Sequence, residues 1–180
     1  MENNIKNFMR EFQVAYQSKD IPNVSVFVSK FFTQNAVYYG TSSTELCVGS
    51  EKIISLVKYD WSYWGLLELD IDNAHVNICG DAAGFVTTGC VKWNIPKESF
   101  LEKVKADIRE ALDSPCSLKE CTMRVNNLTS KALLESERGE LHILPIRISA
   151  MLCTQNDTLK ICQLVISHPT AHYPDSRLYE

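Results

Sequence analysis

The chain has 180 residues, 45% of them hydrophobic and 22% charged, which is the make-up of one globular domain and too apolar for a disordered segment. Its 18 basic and 22 acidic side chains leave a net charge of −4, and no window gathers Lys and Arg into a nucleic-acid footprint. No apolar run approaches the roughly 20 residues of a membrane span. The opening Met1-Glu2-Asn3-Asn4-Ile5-Lys6 has no signal-peptide core, so the expected compartment is the cytoplasm. Seven cysteines, an odd number without a Cys-x-x-Cys pair, are expected to be reduced thiols packed as small hydrophobes.

Ile5, Phe8, Met9, Phe12, Ala15 and Tyr16 recur at three- and four-residue spacing, which predicts an amphipathic helix over residues 3–18. Asp20 as a cap and Pro22 at an early helical position open a second helix carrying Val26, Phe27 and Phe31. Ala36-Val37-Tyr38-Tyr39 reads as a short strand closed by Gly40. Ser50 is the expected N-cap of a third helix, with Glu51 in its first turn and Ile53, Ile54, Val57 and Trp61 along it.

Strands follow. Leu67, Leu69 and Ile71 alternate with Glu68, Asp70 and Asp72, and the apolar phase then slips to Ala74, Val76 and Ile78. Strand side chains have a period of two, so the slip predicts a bulge near Asn73. Gly80-Asp81 is a turn, and Ala82 to Trp93 returns as the next strand. A final hairpin runs from about Leu141 to Thr154, turns at Gln155-Asn156-Asp157, and returns from Leu159 to Ser167. By parity Ile143, Met151 and Ile161 share one face of it, opposite Ile146, Ile148 and Leu164.

Between the strand pairs, Leu101, Val104 and Ile108 predict a helix over residues 97–113 with those three side chains buried. Ser117-Leu118-Lys119-Glu120 is a capping-box pattern opening another over 117–135. The organisation expected is therefore one α+β domain over residues 1–180. A curved antiparallel sheet carries three helices from the N-terminal half, a two-helix insertion at about 95–138 precedes the last strand pair, and residues 169–180 form an extended tail.

This order of elements resembles the nuclear transport factor 2-like superfamily and, within it, the SnoaL-like domains. The residues that carry the likeness are Gly40-Thr41 followed by Glu45, then Gly49-Ser50-Glu51-Lys52-Ile53. Later come Arg147 and Leu159-Lys160-Ile161-Cys162-Gln163 running to Ser167-x-Pro169. The resemblance implies a cone-shaped, cystatin-like domain with a pocket between sheet and helices, paired as a homodimer. It also implies a range of activities, from isomerases, dehydratases, cyclases and hydrolases to association domains without catalysis. Val165 and Leu159 depart from the pattern, standing where relatives often place a His and a Trp.

Asp60, beside Trp61 and Trp64 at the end of the third helix, is the candidate acid or base, set against a solvated helix end. Arg147 stands among Leu144, Pro145, Ile146, Ile148 and Met151, and a buried Arg requires a partner. It is either half of an internal ion pair with Glu45 or Asp60, or an anchor for an acidic ligand group. Tyr16, Tyr39, Trp61, Trp64, Trp93 and Gln163 complete the expected pocket lining. No metal or cofactor is expected: His168 and His172 are four apart, but Pro169 and Pro174 keep that segment extended. No Gly-x-Ser-x-Gly elbow or Gly-rich phosphate loop occurs.

Three functions remain open. The first is binding of a small hydrophobic or acidic ligand in the pocket. The second is cofactor-independent isomerase, dehydratase or hydrolase chemistry through Asp and Tyr. The third is a homodimeric association module. Neither nucleic acid nor membrane is an expected partner.

Overall fold

The structure is a computed structural model that describes residues 2–41, 45–63, 65–80, 82–94, 97–138 and 141–168. It resolves into two compact units, one of Met1–Val91 with Leu144–Glu180 and one of Lys92–Ile143.

In the first unit, helices α1 (Glu2–Gln17) and α2 (Val24–Phe31), linked by a 3-10 turn at Ile21–Asn23, run directly into strand β1 (Phe32–Tyr39). The short strand β2 (Leu46–Val48), helix α3 (Ser50–Tyr63) and strands β3 (Leu66–Leu69), β4 (His75–Cys79) and β5 (Ala82–Asn94) follow. The chain returns as β6 (Leu141–Gln155) and β7 (Thr158–Ser167). Among the described residues, seven strands make one sheet of order β2-β1-β7-β6-β5-β3, with β4 also paired to β5. The sheet is antiparallel at β1/β2, β4/β5 and β6/β7, and β1 runs parallel to β7.

The core follows from two periods. Helix α1 buries Ile5, Met9, Phe12 and Tyr16, one stripe at four-, three- and four-residue steps. Strand β6 buries Ile146, Ile148, Ala150 and Leu152, alternate residues that form the inner face of the sheet. Phe12 is the hub between the layers, its ring 5.5 Å from Phe27, 5.4 Å from Phe31 and 6.2 Å from Phe32. Tilted and edge-on aromatic pairs of this kind contribute about 0.5–1.5 kcal/mol each beyond the area they bury.

Helix α1 also closes the sheet edge. The Leu69 amide donates to Gln13 Oε1 at 2.6 Å, and Gln17 Nε2 donates to the Leu67 carbonyl at 2.6 Å. Two glutamines thus supply the ladder partners that edge strand β3 would otherwise lack.

Several local expectations are corrected. The slip near Asn73 is a turn that splits one strand into β3 and β4. The Asn73 side-chain amide donates to Asp70 Oδ1 at 2.9 Å and Ala74 N donates to Ile71 O at 3.2 Å, local bonds that close the turn where the ladder stops. Gly49 replaces Ser50 as the cap of α3: its φ of +87° suits glycine, and its carbonyl accepts from Ile53 N at 3.2 Å. The Ser50 hydroxyl donates to Gln34 O instead. Ile161 is buried with Leu164 because the β6/β7 register shifts between Met151 and Leu152, leaving Cys162 without an opposite residue. The hairpin turn itself holds Asn156 and Asp157 at φ 50° and 58°, the left-handed region that these two residues tolerate. None of the seven free thiols is fully buried: Cys79 is exposed and the other six are half-buried.

The second unit contains helices α4 (Lys97–Asp113) and α5 (Leu118–Arg138), together with the ends of β5 and β6. The capping box of α5 is formed, with Ser117 N donating to Glu120 Oε2 at 3.0 Å and Glu120 N to Ser117 Oγ at 3.3 Å. The α4 face is not the buried one expected: Leu101 is 42% exposed while Val104 and Ile108 are half-buried. Among the described side chains of α4, Ala111 is the buried one, its carbonyl accepting from the Cys121 thiol of α5 at 3.5 Å. Residues 169–180, expected as an extended tail, lie outside the described residues.

Candidate active site

The inner face of α3 carries Ile53, Val57, Asp60 and Trp61, all buried, at steps of four, three and one. Asp60 therefore falls on the apolar stripe of its helix, and its carboxyl group is turned into the core. On α1 the same logic places Tyr16, four residues after Phe12, on the buried side. The two stripes bring the groups together: the Tyr16 hydroxyl donates to Asp60 Oδ2 at 3.1 Å, with the residues 2% and 4% exposed. The Trp61 indole stands edge-on to Tyr16, ring centroids 6.0 Å apart at 79°, and 5.1 Å from Phe27. Trp61 Nε1 is buried without a hydrogen-bond partner.

Burial disfavours a charged carboxylate here and raises Asp60 to about 7, against the opposing pull of the Tyr16 hydrogen bond and with a further push from Glu45. Near neutrality Asp60 is thus divided between acid and base. The Tyr16 phenol is held well above its ordinary value by burial, then by Tyr38, Asp60 and Glu45, so it remains a proton-bearing donor. Tyr38 of β1 is raised likewise by burial and then by Asp60 and Glu45. An open cavity of about 520 Å3 has Glu45, Cys47, Glu51, Lys52 and Ser55 in its wall. Glu45 thereby belongs both to that cavity and to the electrostatic surroundings of Asp60.

The expected lining residues divide. Tyr16, Asp60 and Trp61 form one cluster, whereas Tyr39, Arg147 and Gln163 are exposed. Strand parity is the reason. Arg147 alternates with Ile146 and Ile148, each 1% exposed, so its guanidinium lies on the outer face. The expectation of a buried Arg147 paired with Glu45 or Asp60 is corrected: Asp60 is bound by Tyr16. Tyr39 is 41% exposed and stands opposite Val165 of β7, while Tyr38 beside it is buried. Gln163 joins His75, Asn77, Ser149 and Met151 around an outer-face groove of about 430 Å3. Trp93 is half-buried near the end of β5 and belongs to the second unit. Trp64 lies outside the described residues.

Tyr38 is the site residue that sequence reasoning missed. The available signal was parity, since Ala36 and Tyr38 share the buried face of β1. Among the described residues no three His, Cys, Asp or Glu side chains are grouped closely enough to hold a metal ion. No described helix is long and apolar enough to cross a membrane.

Two helices leading into the first strand, a third helix after β2, and a bent sheet whose inner face meets them define an α+β protein of the cystatin-like kind. The SnoaL-like domain family matches residues 5–101, more than half of the chain, and the chain belongs to that family. Solved structures agree on the fold. A nuclear transport factor 2-like superfamily protein from Salmonella enterica is similar at a TM-score of 0.60 and 10% identity, covering 97% of this chain and 95% of its own. A candidate dehydratase of the NTF2-like family from Streptomyces avermitilis is similar at 0.59 and 12% identity, over 94% and 96%. An NTF2-like protein with a cystatin-like fold from Novosphingobium aromaticivorans is similar at 0.57 and 9% identity, over 98% and 86%. Identities this low define the fold alone. No curated protein sequence matches the chain.

Proposed function

We propose that this SnoaL-like domain is a cofactor-independent enzyme that moves a proton on a small, largely apolar substrate, as an isomerase or dehydratase does. The observation that carries the reading is the buried Tyr16–Asp60 pair, a carboxyl group near 7 held by a phenol that keeps its proton. A general acid or base works best with a pKa near the working pH, and an apolar site with one neutral donor is how a carboxyl group reaches that value. Asp60 would take or give the proton, Tyr16 would orient it, and Trp61 and Tyr38 would shape an apolar wall. Ligand binding without turnover, the other function considered for the pocket, loses its main support with Arg147 on the outer face.

The test is proton exchange. In deuterated buffer the protein should catalyse deuterium incorporation into some member of a panel of small carbonyl compounds, followed by NMR. Asp60→Asn should lower that rate by about 10²–10⁴-fold while leaving affinity for the same compound nearly unchanged, because the amide keeps the shape without the basicity. Exchange undiminished in Asp60→Asn would defeat the proposal.

A second reading concerns assembly. Val86 at 54%, Met151 at 49% and Tyr39 at 41% exposure put large apolar groups on the outer face of the sheet. A second copy of the chain, docked on that face as a homodimer, would cover them. Sedimentation velocity at micromolar concentration should then show a dimer, which Met151→Lys weakens; a stable monomer would refute it.

A further inference from the structure

The β6/β7 hairpin carries two of the seven thiols, and its register brings them to the same face. Cys153 follows buried Leu152 and so points outward, opposite Lys160. Beyond Lys160 the ladder pairs Leu152 with Ile161 and then Met151 with Gln163, which leaves Cys162 as the extra residue of a bulge. Ile161 and Leu164 on either side are buried, whereas Cys162 is half-buried and Gln163 exposed, so the bulge turns two successive side chains outward. With no cross-strand residue facing it, the Cys162 thiol donates to Met151 O at 3.3 Å, and the Cys153 thiol is near enough to raise it. Both residues are half-buried, leaving them open to a small reagent on the solvent side of the sheet.

We propose that Cys153 and Cys162 are a modification site, a cross-strand dithiol that a low-molecular-weight disulfide such as glutathione disulfide converts to an intramolecular bridge. One thiol loses its proton to solvent and its thiolate attacks a sulfur of the reagent, releasing one reduced glutathione and leaving a mixed disulfide. The second thiolate, likewise deprotonated, attacks the protein-side sulfur and releases the second glutathione. Two protein thiols are oxidised by two electrons and one glutathione disulfide is reduced, so the exchange reverses in excess glutathione. The pair is local in sequence, joined by the tight turn at Asn156 and Asp157, so the two strands are already aligned when the reagent arrives. Burial and the neighbouring sulfur both raise the Cys162 thiol, which favours the protonated form until exchange begins.

Trypsin gives a clean readout, because cleavage after Arg147, Lys160 and Arg177 puts Cys153 in peptide 148–160 and Cys162 in peptide 161–177. The full chain is equilibrated in glutathione buffers of rising oxidised fraction, quenched by alkylation, and mapped by mass spectrometry. The expected result is a linked pair of these two peptides and an intact protein lighter by two hydrogens, both reversed by excess glutathione. Cys153→Ser and Cys162→Ser should each instead retain a glutathione on the remaining thiol. The proposal is overturned if both thiols of the native protein stay alkylatable, if each carries its own glutathione, or if either bridges to another cysteine.

Discussion

Asp60 and Arg147 are both charged residues set among apolar neighbours in the sequence, and the structure sends one into the core and the other to the surface. Asp60 lies on a helix, where the residues three and seven positions before it, Val57 and Ile53, are buried, so the helical period carries it inward. Arg147 lies on a strand, where both immediate neighbours are buried, and a period of two therefore turns it outward. An apolar neighbourhood by itself says nothing about burial; the periodicity of the element decides. The consequence is energetic as well as geometric. Asp60 must be protonated, hydrogen-bonded or both, whereas Arg147 keeps its hydration and needs no partner.

The sharpest way to probe the Asp60 side is through pH. Its folded value near 7 lies above the ordinary 3.8, so the folded state holds a proton that the unfolded state has already lost between those values. The stability this contributes is fully present below about pH 3.8 and is lost as pH rises through about 7. A shift of this size corresponds to stability on the order of 4 kcal/mol. Asp60→Asn cannot titrate. Urea unfolding from pH 4 to pH 8 should therefore show the variant gaining on the native protein as pH rises, until it is the more stable of the two. Parallel stability curves for the two proteins would mean that Asp60 ionises freely and is not held in the core.

A smaller effect is expected at the other end of the same hydrogen bond. Tyr16→Phe keeps the ring that packs on Phe12, 5.9 Å away, and removes only the hydroxyl that donates to Asp60. Losing a buried donor from a polar partner costs about 1–3 kcal/mol. That bond also favours the ionised carboxylate, so its loss should move the Asp60 titration further upward. Carbon-detected NMR of the Asp60 carboxyl group reads the shift. An unchanged or lowered value in Tyr16→Phe would show that the hydroxyl does not govern this carboxyl group.

Legibility in the sequence follows the same division. The α1 stripe, the α5 capping box and the Asn156-Asp157 turn were readable because each rests on local chemistry at fixed spacing. The face of β7 was not, because one inserted residue at Cys162 inverts the parity downstream, and no composition signal marks the bulge. The parallel pairing of β1 with β7 was equally hidden, since Tyr38 and Leu164 are partners far apart in the chain. Most of the candidate site was therefore available: Tyr16, Asp60 and Trp61 from helical spacing. Parity with Ala36 placed Tyr38 on the buried face of β1, but its meeting with Asp60 depended on a register that only the assembled sheet determines.

The least effect is expected at Arg147, and its smallness is informative. Had the guanidinium been half of a buried ion pair, Arg147→Met would strand a carboxylate in the core and cost roughly 3–5 kcal/mol. On the outer face, with Ile146 and Ile148 pointing the other way, the substitution exchanges one solvated side chain for another of similar length. Surface changes of that kind stay within about 0.5 kcal/mol. The melting temperature should accordingly move very little, and the pH dependence assigned to Asp60 should persist unchanged. Proton exchange, if Asp60 is its source, should also survive in Arg147→Met. A large loss of stability would place the guanidinium in a charged pair inside the core, against its position on the strand. A loss of exchange without a loss of stability would instead return Arg147 to the substrate site, and so separate the strand's geometry from its chemistry.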